Sequence, residues 1–124
     1  MIILDTTTKT LEIGLAGSVT TTEPHVTVCY YDTISQTKTD FSEPRRATKL
    51  TKTSGVTPVT ICDAPTIIGA ARCIFYICIH NADNTSATIT VRIDDGGTDY
   101  RQYSHAVPAG HSLIYDSGNG WVKQ

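Results

Sequence analysis

Charge is scarce in this chain: only 18% of its 124 residues are Asp, Glu, Lys or Arg. Glutamate occurs only at Glu12, Glu23 and Glu43, and tryptophan and methionine once each. No run approaches the ~18 apolar residues of a membrane-spanning helix, which sets a membrane partner aside. The N-terminus, Met1-Ile2-Ile3-Leu4-Asp5, lacks the basic start and long apolar core of a signal peptide. The expected site of synthesis is therefore the cytoplasm. A net charge of −2 with a pI near 6 lacks the basic footprint that nucleic acid requires, so no nucleic-acid partner is expected.

Recognisable chemistry is also missing. No C-x-x-C or H-x-x-x-H pair, no G-x-S-x-G elbow and no phosphate-cradling glycine loop occurs. Cys78 and His80 are two apart and share a strand face, and both side chains can reach a metal. A structural zinc site, however, wants four ligands, so no metal is assigned. Asp94, Asp95 and Asp99 surround Gly96-Gly97 but do not follow the spacing of a helix-flanked calcium loop; an ordinary β-turn accounts for them. Pro108-Ala109-Gly110-His111 resembles part of a cupin metal motif, but its histidine is out of step and the companion motif is absent. No enzyme, catalytic residue or cofactor is assigned. Cys29, Cys62, Cys73 and Cys78 read as small, mostly buried, reduced thiols. The odd spacing of Cys73 and Cys78 puts them on opposite faces of a strand.

Threonine fills the space that charge leaves, with 21 copies, including triplets at Thr6–Thr8 and Thr20–Thr22. A β-branched residue loses side-chain freedom in a helix and suits a pleated, half-exposed surface. Alternation marks strands at Leu11-Ile13-Leu15, at Val26-Val28-Tyr30 and at Ala87-Ile89-Val91-Ile93. Further strands are expected at 57–64, 72–80, 98–107, 111–116 and 121–123, separated by turn signals at Asn81–Asn84, Asp95-Gly96-Gly97, Pro108-Ala109-Gly110 and Asn119-Gly120. Arg72–His80 is the most apolar run and reads as a central strand with both faces buried. The expectation is one all-β domain over residues 1–124, a jelly-roll-like or related Greek-key β-sandwich of about eight short strands. Residues 35–55 show no periodicity, and their five basic side chains against two acidic ones read as a basic variable loop.

Met1 to Thr21, M-I-I-L-D-T-T-T-K-T-L-E-I-G-L-A-G-S-V-T-T, resembles the opening of a family of small virion proteins from tailed bacteriophages, in which a Thr-rich run precedes L-E-V-V-L-A-G-A-V-T-T. Ile79-His80-Asn81-Ala82-Asp83 with Ala87–Arg92, and Ala109–Asp116 with Gly118–Trp121, are similar to that family's later segments. The middle of the chain, 32–64, departs from it. The resemblance implies a structural protein of the virion without chemistry of its own. First comes a capsid decoration (cement) protein on the head surface, with the major capsid protein and further copies of itself, a trimer favoured, as partners. A tail, fibre or host-surface-binding β module is the alternative, with Tyr30, Tyr31, Tyr100 and Tyr103 as its candidate exposed aromatics. The candidate contact residues are Ile2, Ile3 and Leu4 of the N-terminal segment and Arg45, Arg46, Lys49 and Lys52 of the basic segment.

Overall fold

The abundance of Thr, Val and Ile in two-residue alternation gives only strands among the described residues. The computed structural model describes residues 1–33 and 46–124. Ten strands follow in order: β1 (Ile2–Leu4), β2 (Lys9–Leu15), β3 (His25–Thr33), β4 (Arg46–Lys52), β5 (Val59–Cys62), β6 (Ala71–His80), β7 (Ala87–Asp95), β8 (Thr98–Val107), β9 (Ser112–Asp116) and β10 (Gly120–Lys123). They form two antiparallel sheets. The larger has six strands in the order β10-β9-β6-β3-β4, with β1 also on β6; the smaller is β5-β2-β7-β8. Consecutive strands are neighbours only in β3–β4, β7–β8 and β9–β10, and every other step crosses to the facing sheet. This is the expected β-sandwich, with ten strands among the described residues in place of about eight.

The core fills the space between the sheets. Leu11, Ile13, Ile89 and Val91 of the smaller sheet meet Val28, Ile74, Ile77, Ile79 and Leu113 of the larger, all fully buried. At one lateral opening the Lys49 ammonium on β4 reaches across to the Thr60 carbonyl and the Asp63 carboxylate, both at 3.3 Å. At the other, the Trp121 ring of β10 stacks on Tyr103 of β8, with centroids 4.9 Å apart and planes 4° from parallel. Arg72 grips Asp32 with two nitrogens (2.8 and 3.1 Å), donates to the Asp63 carbonyl at 2.8 Å and lies over the Tyr30 ring. That joins β3 and β6 to the segment after β5.

Three expectations need correction. Arg46–Lys52 is strand β4, paired with β3 along its whole length, and not loop. As an edge strand it buries neither face fully, so its polar alternation carries no apolar signal; the rest of the expected loop up to Arg45 lies outside the described residues. Cys73 and Cys78 share a face, because the β3–β6 register shifts between Cys29 and Tyr30 and leaves Phe75 as an extra residue on β6. Such a bulge reverses the alternation beyond it. Ile74 and Ile77 thus both point inward despite their odd spacing. Finally, β6 is central but is fully covered on its inner face only: Tyr76, Cys78 and His80 are half-buried.

The turn after β6 anchors the β2–β3 crossing. Asp83, 5% exposed, accepts hydrogen bonds from the Thr20 N–H (2.8 Å), the Thr21 N–H (2.8 Å), the Thr21 hydroxyl (2.8 Å), the Asn84 N–H (2.9 Å) and the Thr85 hydroxyl (3.1 Å). Asn81, fully buried, donates to the Thr85 and Val107 carbonyls at 2.9 Å and accepts from the Asp83 N–H. The donors, led by the Thr20 N–H, hold the Asp83 carboxyl well below its ordinary value of 3.8. A depressed carboxyl adds stability that is fully present above that ordinary value and is lost as pH falls through its folded value. Asp83→Asn is therefore expected to lower the thermal midpoint at neutral pH, and its deficit relative to wild type is expected to shrink as pH drops below 3.8. A deficit that stays constant down to strong acid would show that the carboxylate charge is not what anchors the crossing.

Candidate docking face

The residues proposed from sequence do not gather into one patch. Ile2 and Leu4 point into the core and are 8% and 0% exposed, so they hold β1 to the sandwich rather than touch a partner. Ile3, between them, is 47% exposed and borders an open depression of about 410 Å³ with Lys9, Ile93, Asp95, Tyr100 and Gln102. Lys49 faces the smaller sheet and is engaged with Asp63 and Thr60. Arg46 and Lys52 are exposed on the opposite side of β4. Arg45 lies outside the described residues. Of the tyrosines, Tyr100 is exposed, whereas Tyr30 lies beneath Arg72 and Tyr103 beneath Trp121.

A different surface emerges when the strands are read across. Register aligns Val122, Ile114, Cys78, Thr27 and Leu50 in one row over β10, β9, β6, β3 and β4. All five point away from the core, since their neighbours along the strands, Leu113, Ile77, Ile79, Val26 and Val28, are buried. Val122 is 42% and Leu50 73% exposed. The next row holds Tyr76, Cys29 and Thr48, ending at Asp116 on β9. Beyond the bulge lie Tyr31 and Phe75, with ring centroids 6.0 Å apart. Among the described residues the centre of this outer face carries no charge; Arg46, Lys52 and Asp116 stand at its margins.

The outer face of the smaller sheet has the opposite character. Glu12, Arg92 and Arg101 form one row across it, and Thr10, Asp94 and Asp99 the next. Arg92 is bonded to Glu12 at 3.2 Å and to Asp99 at 3.0 Å. A sheet face adapted to water carries polar and charged side chains, and this one does. The outer face of the larger sheet lacks such charge at its centre among the described residues, and Leu50 and Val122 stand exposed on it.

No three His, Cys, Asp or Glu side chains among the described residues gather in a group that could hold a metal, and no helix there is long and apolar enough to cross a membrane. The thiols divide between core and face. Cys62 is fully buried, and burial pushes its thiol up to about 11; Cys29 and Cys78 are half-buried on the outer face.

Because the thiolate is the reacting form, a thiol reagent at pH 8 is expected to label Cys29 and Cys78 in the native protein, while Cys62 reacts only after unfolding. Mass spectrometry of the labelled peptides checks this, and early labelling of Cys62 would contradict its placement in the core. Set beside known proteins, the chain matches no family profile, no curated protein and no solved structure.

Proposed function

We propose that this chain is a structural protein of a tailed-bacteriophage virion, a decoration protein that docks on the major capsid protein through the outer face of the six-stranded sheet. The observation that carries the reading is the uncharged Val122–Ile114–Cys78–Thr27–Leu50 row, set against a charged outer face on the other sheet. The likeness of both ends of the chain to small phage virion proteins supports it.

A protein that binds only the assembled shell stabilises it by mass action. Contact area serves that role, and a rigid sheet provides area with little conformational entropy to lose on docking. Arg46 and Lys52, at the rim, set register and encounter rate rather than most of the affinity. Self-association into a closed ring, a trimer first, belongs to the same reading and uses heterologous contacts.

The experiment compares heads lacking the protein with heads to which wild type or Leu50→Asp/Val122→Asp has been added. Wild type is expected to raise the melting temperature of the heads and to appear as density outside the capsid in electron cryomicroscopy. The double variant, altered only at exposed positions, is expected to keep its stability within about 1 kcal/mol of wild type yet fail to bind. Density confined to the tail would reject the cement reading in favour of a tail or fibre module. Binding that survives the double variant would move the docking surface elsewhere.

A further inference from the structure

His25 and His80 are 55 positions apart in the chain but directly opposite each other on β3 and β6. Both lie on the outer face, since the next pair along, Val26 and Ile79, is buried. Directly opposed side chains on antiparallel strands have Cβ atoms about 4.5–5.5 Å apart. Two imidazoles at that separation can converge on one ion, each at about 2.0–2.1 Å. The His80 ring is also pre-oriented. Its Nδ1 stands 2.9 Å from the Ser112 hydroxyl, which β9 places directly opposite it on the other side. With Nδ1 bonded there, Nε2 is the nitrogen left to face outward. A ring held through its second nitrogen is the arrangement that fixes tautomer and orientation at metal-binding histidines.

We propose that His25 and His80 form a two-histidine chelate for a divalent transition metal at the end of the larger sheet's outer face. Imidazole pairs favour Ni²⁺, Cu²⁺ and Zn²⁺; Mg²⁺ and Ca²⁺ seek oxygen ligands and are not bound. Water completes the coordination sphere, as no third His, Cys, Asp or Glu joins the pair among the described residues. Lys52 is directly opposite His25 on β4, and its positive charge opposes the ion, making this a site of moderate affinity. By joining β3 to β6 the metal clamps two central strands, and binding to the folded chain alone adds stability. The site is independent of the virion reading and is tested on the isolated protein.

The test is calorimetric titration with Ni²⁺, with Mg²⁺ as control, together with thermal unfolding. Wild type is expected to bind Ni²⁺ one-to-one and to melt higher in its presence, with no response to Mg²⁺. His25→Asn and His80→Asn are each expected to abolish the shift, and Ser112→Ala to weaken Ni²⁺ binding about ten-fold. Lys52→Ala is expected to tighten it, a result that a purely structural role for these side chains would not produce. Because His80→Asn could disturb the sheet, a second readout uses wild type alone: substoichiometric Ni²⁺ should broaden the imidazole resonances of His25 and His80 before those of His105 and His111. No Ni²⁺ binding, binding that persists in His25→Asn, binding removed by Cys78→Ser, or prior broadening of His105 or His111 would each overturn the proposal.

Discussion

A buried carboxylate must collect its hydrogen bonds, and in this fold that requirement falls on Asp83. Its oxygens face the backbone of Thr20 and Thr21 from one side and Asn84 and Thr85 from the other. Leaving a buried charge without partners costs far more than a typical hydrogen bond returns, so the two segments cannot separate without exposing or stranding it. The neighbouring Asn81 extends the anchor to the Val107 carbonyl, and its backbone bonds with Gly110 and His111 reach the turn before β9. One short turn thereby positions the entry to β3, the end of β8 and the start of β9. The register that places His25 opposite His80 begins within three residues of this anchor.

Bulges then decide what the faces carry, and two of them shape the core. The extra residue at Phe75 brings Cys73, Tyr76 and Cys78 to the same side of β6 and lets Ile74, Ile77 and Ile79 all fill the core. The shift between Leu11 and Glu12 in the β2–β5 pairing does the same for Ile61 and Cys62, both fully buried though adjacent. Without the Phe75 bulge, strict alternation would turn either Ile74 or the Ile77–Ile79 pair outward.

Elements with a strong apolar alternation were readable in the sequence: β2, β3 and β7 lie where Leu11-Ile13-Leu15, Val26-Val28 and Ile89-Val91 put them. Strand β4 was not, because its inward residues, Ala47, Lys49 and Thr51, are half-buried at an edge and chemically indistinct from a loop. Strand β1 is only three residues long, too short for a period to show. The docking face was illegible for a different reason. Its row takes one residue from each of five strands, and no window along the chain contains Leu50, Thr27, Cys78, Ile114 and Val122 together. The same holds for the histidines: along the strand His80 lies two residues from Cys78, whereas His25 stands across from it on β3. Basic character in 46–52 was visible, but its division into an inward Lys49 and outward Arg46 and Lys52 follows from the pleat alone.

Desolvation separates the two outer faces as docking surfaces. Covering the smaller sheet would take Glu12, Arg92 and Asp99 out of water together, and a buried ion-pair network returns little net energy for that cost. The bridges among Glu12, Arg92 and Asp99 are already made within the chain, so those three side chains offer a partner few bonds to add. Covering the larger sheet removes Leu50, Val122, Ile114 and two thiols from water, which is favourable in itself, and leaves Arg46 and Lys52 at a rim where they can remain hydrated. The strand that sequence alone would leave as a loop thus supplies both the most exposed apolar contact of that face, Leu50, and the charges that border it. On the docking proposed above, an occupant that covers Thr48 and Leu50 while meeting Arg46 and Lys52 with carboxylates would satisfy the groups that β4 presents outward, and such a partner would be acidic at its edge and apolar at its centre.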